Sequence, residues 1–327
     1  MKKLFAWVLF FVIILGSYQF IRYTLSQPVV KETVETVKRN VDDKLENIEK
    51  KEQQKDKNIV LKDTTTKQIA RFKNEYATSW AMTHTAYQAF TLQMPNNSGG
   101  YIAGEGRKLF ATTIGKTTYE GIKKIHGEPI VDIVKGNTKY LTNNDKKKEM
   151  LLYELEGYYV TFFVDVHNAN KLRAIQYIKK DVEQSKPGFY GVSSNDLRRG
   201  FEQLMIELMN QARVEHQLKP LKYDKGLTAQ ARAHSQEMVD HRYFAHEGLN
   251  GSTPESRMKA AGYVQENYYA ENLAYGQYSA IFAHEGLMNS LGHRENILNK
   301  NLTNVGVGVA FDRENKPYFT INFYTPF

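Results

Sequence analysis

The first pattern along the chain is an unbroken apolar run. Lys2-Lys3 is followed by Leu4 to Leu15 without a polar residue, and the pattern continues weakly through Gly16, Tyr18, Phe20 and Ile21 to the next charge at Arg22. Leu4 to Ile21 is about long enough to cross a bilayer as a helix. The flanking lysines are expected to stay in the cytoplasm and place the remainder outside. The stretch Gly16-Ser17-Tyr18-Gln19-Phe20 offers no small-x-small cleavage site, so residues 1–22 are predicted to be an uncleaved signal anchor. Over residues 23–60, Val30, Val34, Val37, Val41, Leu45 and Ile48 recur at spacings of three and four among Lys and Glu. Such a thin stripe buries little. It predicts a helical stalk, either a lone solvated spacer or a weak coiled-coil dimer.

Residues 61–190 read as an α+β module with an antiparallel sheet. Ile69, Phe72, Tyr76, Trp80 and Tyr87 predict a helix over Thr64 to Phe90, closed by the break Pro95-Asn96-Asn97-Ser98-Gly99-Gly100. A short helix is predicted over Tyr119 to His126, stopped by Gly127 and Pro129. Strand patterns follow at Met150–Leu155, Tyr158–Val166 and Leu172–Ile178, with turns at Glu156-Gly157 and Asn168-Ala169-Asn170. Gly115-Lys116-Thr117 is not a phosphate-binding loop, because the upstream glycine of that motif falls on Phe110.

Ser185 to Ser194, with Pro187, Gly188 and Gly191, marks a boundary, and residues 195–327 form the last module. Asn195 is expected to cap a helix to about His216 whose broad apolar face carries Leu197, Phe201, Leu204, Met205, Leu208 and Met209. A second helix is predicted over Lys225–His241. Two C-terminal strands, Val305–Phe311 and Tyr318–Tyr324, join at Arg313-Glu314-Asn315.

Composition narrows the class. The 327 residues are 41% apolar and 12% aromatic, enough for real cores, and carry a net charge of +8. A basic balance favours anionic surroundings. The lysines and arginines are spread along the chain, however, which fits a solvated surface and no nucleic-acid partner. The absence of cysteine excludes disulfides and thiolate chemistry, and an exported chain without them fits a bacterial surface.

Candidate chemistry concentrates in His234 to Ala310. Two Ala-His-Glu-Gly-Leu pentamers begin at Ala245 and Ala283, but the second histidine of a zinc-protease helix would fall on Asn250 or Met288. Ser235 beside His234 and Ser290 near His293 lack the strand-turn-helix setting of a serine nucleophile. His246, Glu271 and His293 remain. Converging, they form a three-ligand set for Zn²⁺ or another divalent cation with an open position, or a general base with an orienting acid. The plain alternative is three hydrogen-bonded structural residues.

Ala245-His246, Glu271-Asn272-Leu273-Ala274, Gly292-His293-Arg294-Glu295-Asn296-Ile297-Leu298 and Val305-Gly306-Val307-Gly308-Val309 resemble the signatures of the CAP superfamily (cysteine-rich secretory, antigen 5 and pathogenesis-related 1 proteins) in its cysteine-free bacterial form. The resemblance covers about Leu204 to the C-terminus. It implies an α-β-α sandwich whose cleft collects a His-Glu-Glu-His tetrad, falling here on His246, Glu271 and His293, with Ser290 at the second glutamate. Ala270 and Leu287 replace the family's usual Gly and Trp. Ile114-Gly115-Lys116-Thr117 and Gly127-Glu128-Pro129 more loosely resemble the CAP-associated domain of Firmicute surface proteins. The expected protein is thus anchored by one pass in the membrane of a Gram-positive bacterium, with its bulk outside. The resemblance implies two functions. One is a module binding a cell-wall polymer, lipid or protein through a cleft able to hold a divalent metal. The other is a zinc-assisted hydrolase of peptide or cell-wall substrates, with His246, Glu271 and His293 as the catalytic candidates.

Overall fold

The structure is a computed structural model and describes residues 68–141, 147–263 and 268–326. The predicted signal anchor and stalk lie outside the described residues. Among the described residues no helix is long and apolar enough to cross a membrane.

The first module is built on a seven-stranded sheet. Strands β1 (Ala70–Lys73), β2 (Ser79–Thr83), β3 (Phe90–Gln93) and β4 (Gly99–Ala103) come first. Two small hairpins follow, β5 (Lys108–Leu109) with β6 (Thr112–Thr113), and β7 (Asp132–Lys135) with β8 (Thr138–Leu141), with helix α1 (Tyr119–His126) between them. Then β9 (Met150–Leu155), β10 (Tyr158–Asp165) and β11 (Lys171–Lys179) complete the sheet in the order β1-β2-β3-β4-β11-β10-β9, and helix α2 (Lys180–Ser185) leaves it. All neighbours in this sheet pair antiparallel. At the β9–β10 turn Glu156 and Gly157 both have positive φ, 50° and 84°. That backbone twist matches the twist of the flanking strands.

The helix predicted to end at Phe90 is replaced by β1, β2 and β3. Phe72, Trp80, Met82, Phe90 and Leu92 are buried, whereas Ile69 is exposed. Trp80 and Met82 of β2 and Phe90 and Leu92 of β3 are buried while the residues between them are less so, the period-two pattern of a pleated strand. Ala77, Ala86 and Tyr87 have positive φ and turn the chain between strands. The helix-like spacing of the aromatics arose because short strands alternate with short turns.

The second module contains α3 (Asn195–Glu215), β12 (Lys222–Tyr223), α4 (Lys225–His241), α5 (Pro254–Ala260), β13 (Tyr269–Tyr275), α6 (Ala280–Asn289), α7 (Leu291–Ile297), β14 (Asn304–Phe311) and β15 (Pro317–Tyr324). The cap of α3 is Ser194, whose hydroxyl accepts from the Leu197 amide; Asn195 is the first helical residue. The sheet order is β12-β14-β15-β13, with β12 parallel to β14 and the other pairs antiparallel. Strand β14 alternates Val305, Val307 and Val309 with Gly306 and Gly308. The valines enter the core shared with Phe201, Leu204 and Leu208 of α3. The glycines let α4 lie directly on the opposite face. A Cβ on Gly308 would stand 1.9 Å from the Arg232 amide nitrogen, and one on Gly306 2.3 Å from the Leu227 carbonyl carbon. Helices therefore cover both faces, giving an α-β-α arrangement.

The two modules share one hydrophobic core, which runs from Trp80, Phe90 and Tyr101 to Leu208, Leu287 and Phe323. Polar contacts cross the same seam. The Tyr101 hydroxyl donates to Glu285 Oε1 at 2.8 Å, and Arg173 Nη1 donates to Glu285 Oε2 at 3.3 Å. Arg173 Nη2 lies 3.0 Å from His284 Nε2. The guanidinium can only donate, so His284 accepts through Nε2 and is neutral with its proton on Nδ1. Burial and the adjacent guanidinium both hold its pKa well below the usual histidine value. The second pentamer, His284-Glu285, thus joins the modules. Asn289 adds a side-chain bridge to the Val166 amide and the Val164 carbonyl.

Two outcomes test this packing. Gly308→Ala should destabilise by about 1–3 kcal/mol or more through overpacking against the α4 backbone, measured by urea denaturation. Glu75, buried beside Lys186, has its carboxyl pushed up to about 7, chiefly by loss of water. Its native form therefore holds a proton that the unfolded form releases above about pH 4.5, and stability is lost as pH rises toward 7. Glu75→Gln should gain stability over the parent progressively across that window, with no corresponding change below it.

Candidate functional site

The loop after α4 carries His246, β13 carries Glu271, and α7 carries His293. The loop is fixed from two sides. His234, fully buried on α4, donates from Nε2 to the Ala245 carbonyl at 3.0 Å and meets Glu237 Oε2 through Nδ1 at 3.2 Å. Glu237 Oε1 in turn accepts from the Leu249 amide at 3.2 Å. From α5, Arg257 Nη1 donates to the carbonyls of His246 and Ser252, both at 2.9 Å. Helix α5 begins where Thr253 and Ser256 cap each other reciprocally, with Pro254 in the first turn.

Glu271 is the centre of the arrangement. Its side chain is 1% exposed, and both oxygens are engaged. Oε1 accepts from His246 Nδ1 at 2.9 Å, and Oε2 accepts from Arg257 Nη2 at 2.7 Å. A buried carboxylate needs such partners, because an uncompensated charge away from water costs several kcal/mol. Because the carboxylate only accepts, the proton of neutral His246 sits on Nδ1. Its Nε2 is left free on a ring that is 53% exposed.

His293 is half-buried and lies beside His246. Burial lowers its pKa, and the charge that His246 can carry lowers it further. Its Nδ1 is 2.8 Å from the hydroxyl of Ser290, the residue at the second glutamate position of the resemblance. The backbone under His293 is held by Asn272, which is fully buried on β13 and donates to the His293 carbonyl at 2.9 Å. Asn296 donates to Asn272 Oδ1 at 2.8 Å. These contacts join the Glu-Asn and His-Arg-Glu-Asn motifs.

The structure thus brings the three sequence-predicted residues to one place, with Glu271 in contact with His246 and turned toward Arg257. Among the described residues no group of three His, Cys, Asp or Glu side chains is arranged to hold a metal ion. Glu271 Oε1 serves the His246 imidazole and Oε2 the Arg257 guanidinium, so the carboxylate stands as a hydrogen-bond partner of His246. The Nε2 atoms of the two imidazoles remain. Ser235 is buried, bonded to the Gly308 carbonyl and the Thr320 hydroxyl, and ties α4 to the sheet. Arg257 and His234 were not legible as site residues, since neither stands in a recognisable motif and only folding brings them to this loop.

Residues 206–323 match the family model of the cysteine-rich secretory protein family (CAP), and residues 101–189 match that of the CAP-associated N-terminal domain. The protein YkwD of Bacillus subtilis (strain 168) is 27% identical over 241 residues, 61% of this chain and 91% of YkwD. The membrane protein YlbC of the same strain is 36% identical over 122 residues, 37% of this chain and 34% of YlbC. An extracellular SCP-domain protein from Bacillus anthracis (strain Ames) shares the fold with a TM-score of 0.67 at 22% identity, covering 79% of this chain and 89% of that one. A cysteine-rich secretory protein from Staphylococcus aureus (Mu50) does so with a TM-score of 0.60 at 16% identity, covering 79% and 85%.

Arg257→Leu should leave Glu271 buried without its cation and cost about 3–5 kcal/mol in denaturant unfolding. Arg257→Leu combined with Glu271→Leu should recover much of that loss, because no charge then stays buried.

Proposed function

We propose that this chain, which carries a CAP domain of the cysteine-rich secretory protein family behind a CAP-associated N-terminal domain, is a non-catalytic binding module of the bacterial cell envelope. Its apolar residues 4–21 hold it to the membrane, and its cleft engages a ligand or partner through His246 and His293. The observation that carries this reading is the burial of Glu271 behind its partners. A general base must reach the reacting proton, whereas the Glu271 side chain is 1% exposed and its two oxygens face His246 and Arg257. Ser290 stands where a second carboxylate would act, and its hydroxyl contacts His293. What the cleft offers is the Nε2 lone pair of His246, beside the ring edge of His293. That lone pair accepts from hydroxyl, amide or ammonium groups on a partner.

The test is retention on purified Gram-positive cell envelopes, alongside peptidase and cell-wall hydrolysis assays with and without added Zn²⁺. The expected result is no turnover, and retention that falls in His246→Ala and His293→Ala variants of unchanged thermal stability. Zn²⁺-dependent turnover abolished by His246→Ala would replace this reading with the hydrolase.

A pH dependence accompanies it. The lowered pKa of His293 keeps it neutral to below the ordinary histidine range. An NMR titration of the imidazole protons should give His293 a midpoint below about 6.5. Because the unfolded chain takes up the proton first, this residue's contribution to stability is present above that value and is lost as pH falls through the native midpoint.

A further inference from the structure

A cavity of ≈ 250 Å³ opens at the seam between the two modules and is lined by none of the cleft residues. A water molecule's share of liquid volume is about 30 Å³, so the space suits a ligand of roughly eight to ten heavy atoms. The first module supplies most of the lining. Gly115 follows β6 with φ 79°, and its amide donates to the Leu172 carbonyl of β11 at 2.8 Å. Its missing side chain lets Glu105 lie across it, since a Cβ there would stand 2.8 Å from Glu105 Cγ. Lys171 and Arg173 at the start of β11 and Asp165 at the end of β10 complete this side. The second module contributes the C-terminal end of α3, with Glu215 and His216.

Charge pairing decides what the cavity fits. Asp165 is bonded to Arg294 and Arg173 to Glu285, so those four charges cancel in pairs. His216 donates from Nδ1 to the Ala212 carbonyl and accepts from Arg294 through Nε2, which leaves it neutral. Three charges remain. Among the described residues the Glu105 carboxylate and the Lys171 ammonium have no hydrogen-bond or ion-pair partner, and Glu215 accepts only from the neutral Gln211 amide, at 3.2 Å. Two carboxylates and one ammonium are thus left over at one cavity, and the negative end of the α3 dipole adds to the excess. Such a field repels phosphates and other anions and attracts cations. Among the described residues no three carboxylates or imidazoles are arranged to hold a metal ion, so the cation that fits is an organic ammonium. Lys171 requires a carboxylate on the same ligand.

We propose that this cavity binds a free diamino acid, with its two ammonium groups on Glu105 and Glu215 and its carboxylate on Lys171. The ligand then carries the counterpart of each unpaired charge, in charge-assisted hydrogen bonds. This goes beyond the cleft reading and needs neither His246 nor His293. A lysine side chain within a peptide is the competing occupant, because it brings an ammonium without a free carboxylate.

The experiment titrates the full-length chain in detergent with L-lysine and L-ornithine by calorimetry. Norleucine, cadaverine and Nα-acetyl-lysinamide serve as analogues that lack the side-chain ammonium, the carboxylate, and both main-chain charges. At least one diamino acid is expected to bind with a Kd below about 1 mM, and about tenfold or more tighter than each analogue. Affinity should fall as NaCl rises from about 0.05 to 0.5 M, because charges open to solvent are screened. Glu105→Gln should weaken binding about tenfold, and Lys171→Met should abolish the preference for lysine over cadaverine. Both substitutions keep side-chain size and leave the paired charges in place. In NMR spectra the His216 ring signals should move on addition of the diamino acid while those of His246 stay. The proposal is overturned if neither diamino acid binds, if any analogue binds as tightly, if binding ignores salt, if both variants bind like the parent, or if the His246 ring responds in place of His216.

Discussion

A charge taken out of water must meet an opposite charge or a set of hydrogen bonds, and this constraint organises the molecule. Glu285 is buried on α6 and meets Tyr101 and Arg173 from the first module's sheet. Glu271 is buried on β13 and meets Arg257 and His246. Glu202 on α3 receives a two-pronged contact from Arg232 of α4 and the Val309 amide of β14. Each carboxylate joins elements distant in sequence, so removing a partner disturbs a junction as well as a charge.

The seam and the cleft are linked through α7. Arg294 reaches Asp165 at the end of β10 with two hydrogen bonds, at 2.9 and 3.2 Å. The next residue toward the N-terminus is His293. Thus an acid of the first module fixes the helix that presents one of the two cleft imidazoles. Asn272 holds the same helix from below. The first module is therefore a support for the cleft as well as a neighbour of it.

Within the cleft, the geometry favours orientation over proton transfer. Glu271 sets the His246 tautomer and ring direction as a supporting carboxylate does for a histidine whose other nitrogen faces outward. Arg257 neutralises that carboxylate and braces the loop backbone. The contact of Ser290 with His293 holds the second imidazole without adding charge.

Much of the fold was legible because it rests on local periodicity. Helices such as Lys225–His241 and strands such as Met150–Leu155 follow the burial period of their residues, and the Glu156-Gly157 turn follows from backbone conformations those residues tolerate. The alternating Val and Gly of β14 also reads as a strand, but only packing shows that its glycines admit α4. Residues 70–93 misled because turns of a few residues between short strands imitate helical spacing. Strand β13 was hidden by its buried Glu271 and Asn272, polar residues whose burial is explained by Arg257, His246, His293 and Asn296. The sequence by itself determined the elements with a clear local period, such as Asn195–Glu215, Lys225–His241 and the two C-terminal strands, and its motifs pointed to three residues of the cleft. Tertiary structure alone decided that Glu271 faces a guanidinium, that His284-Glu285 belongs to the seam, and that Tyr275 packs against Phe244 and Tyr318. Those are pairings across many residues of chain, and no local period encodes them.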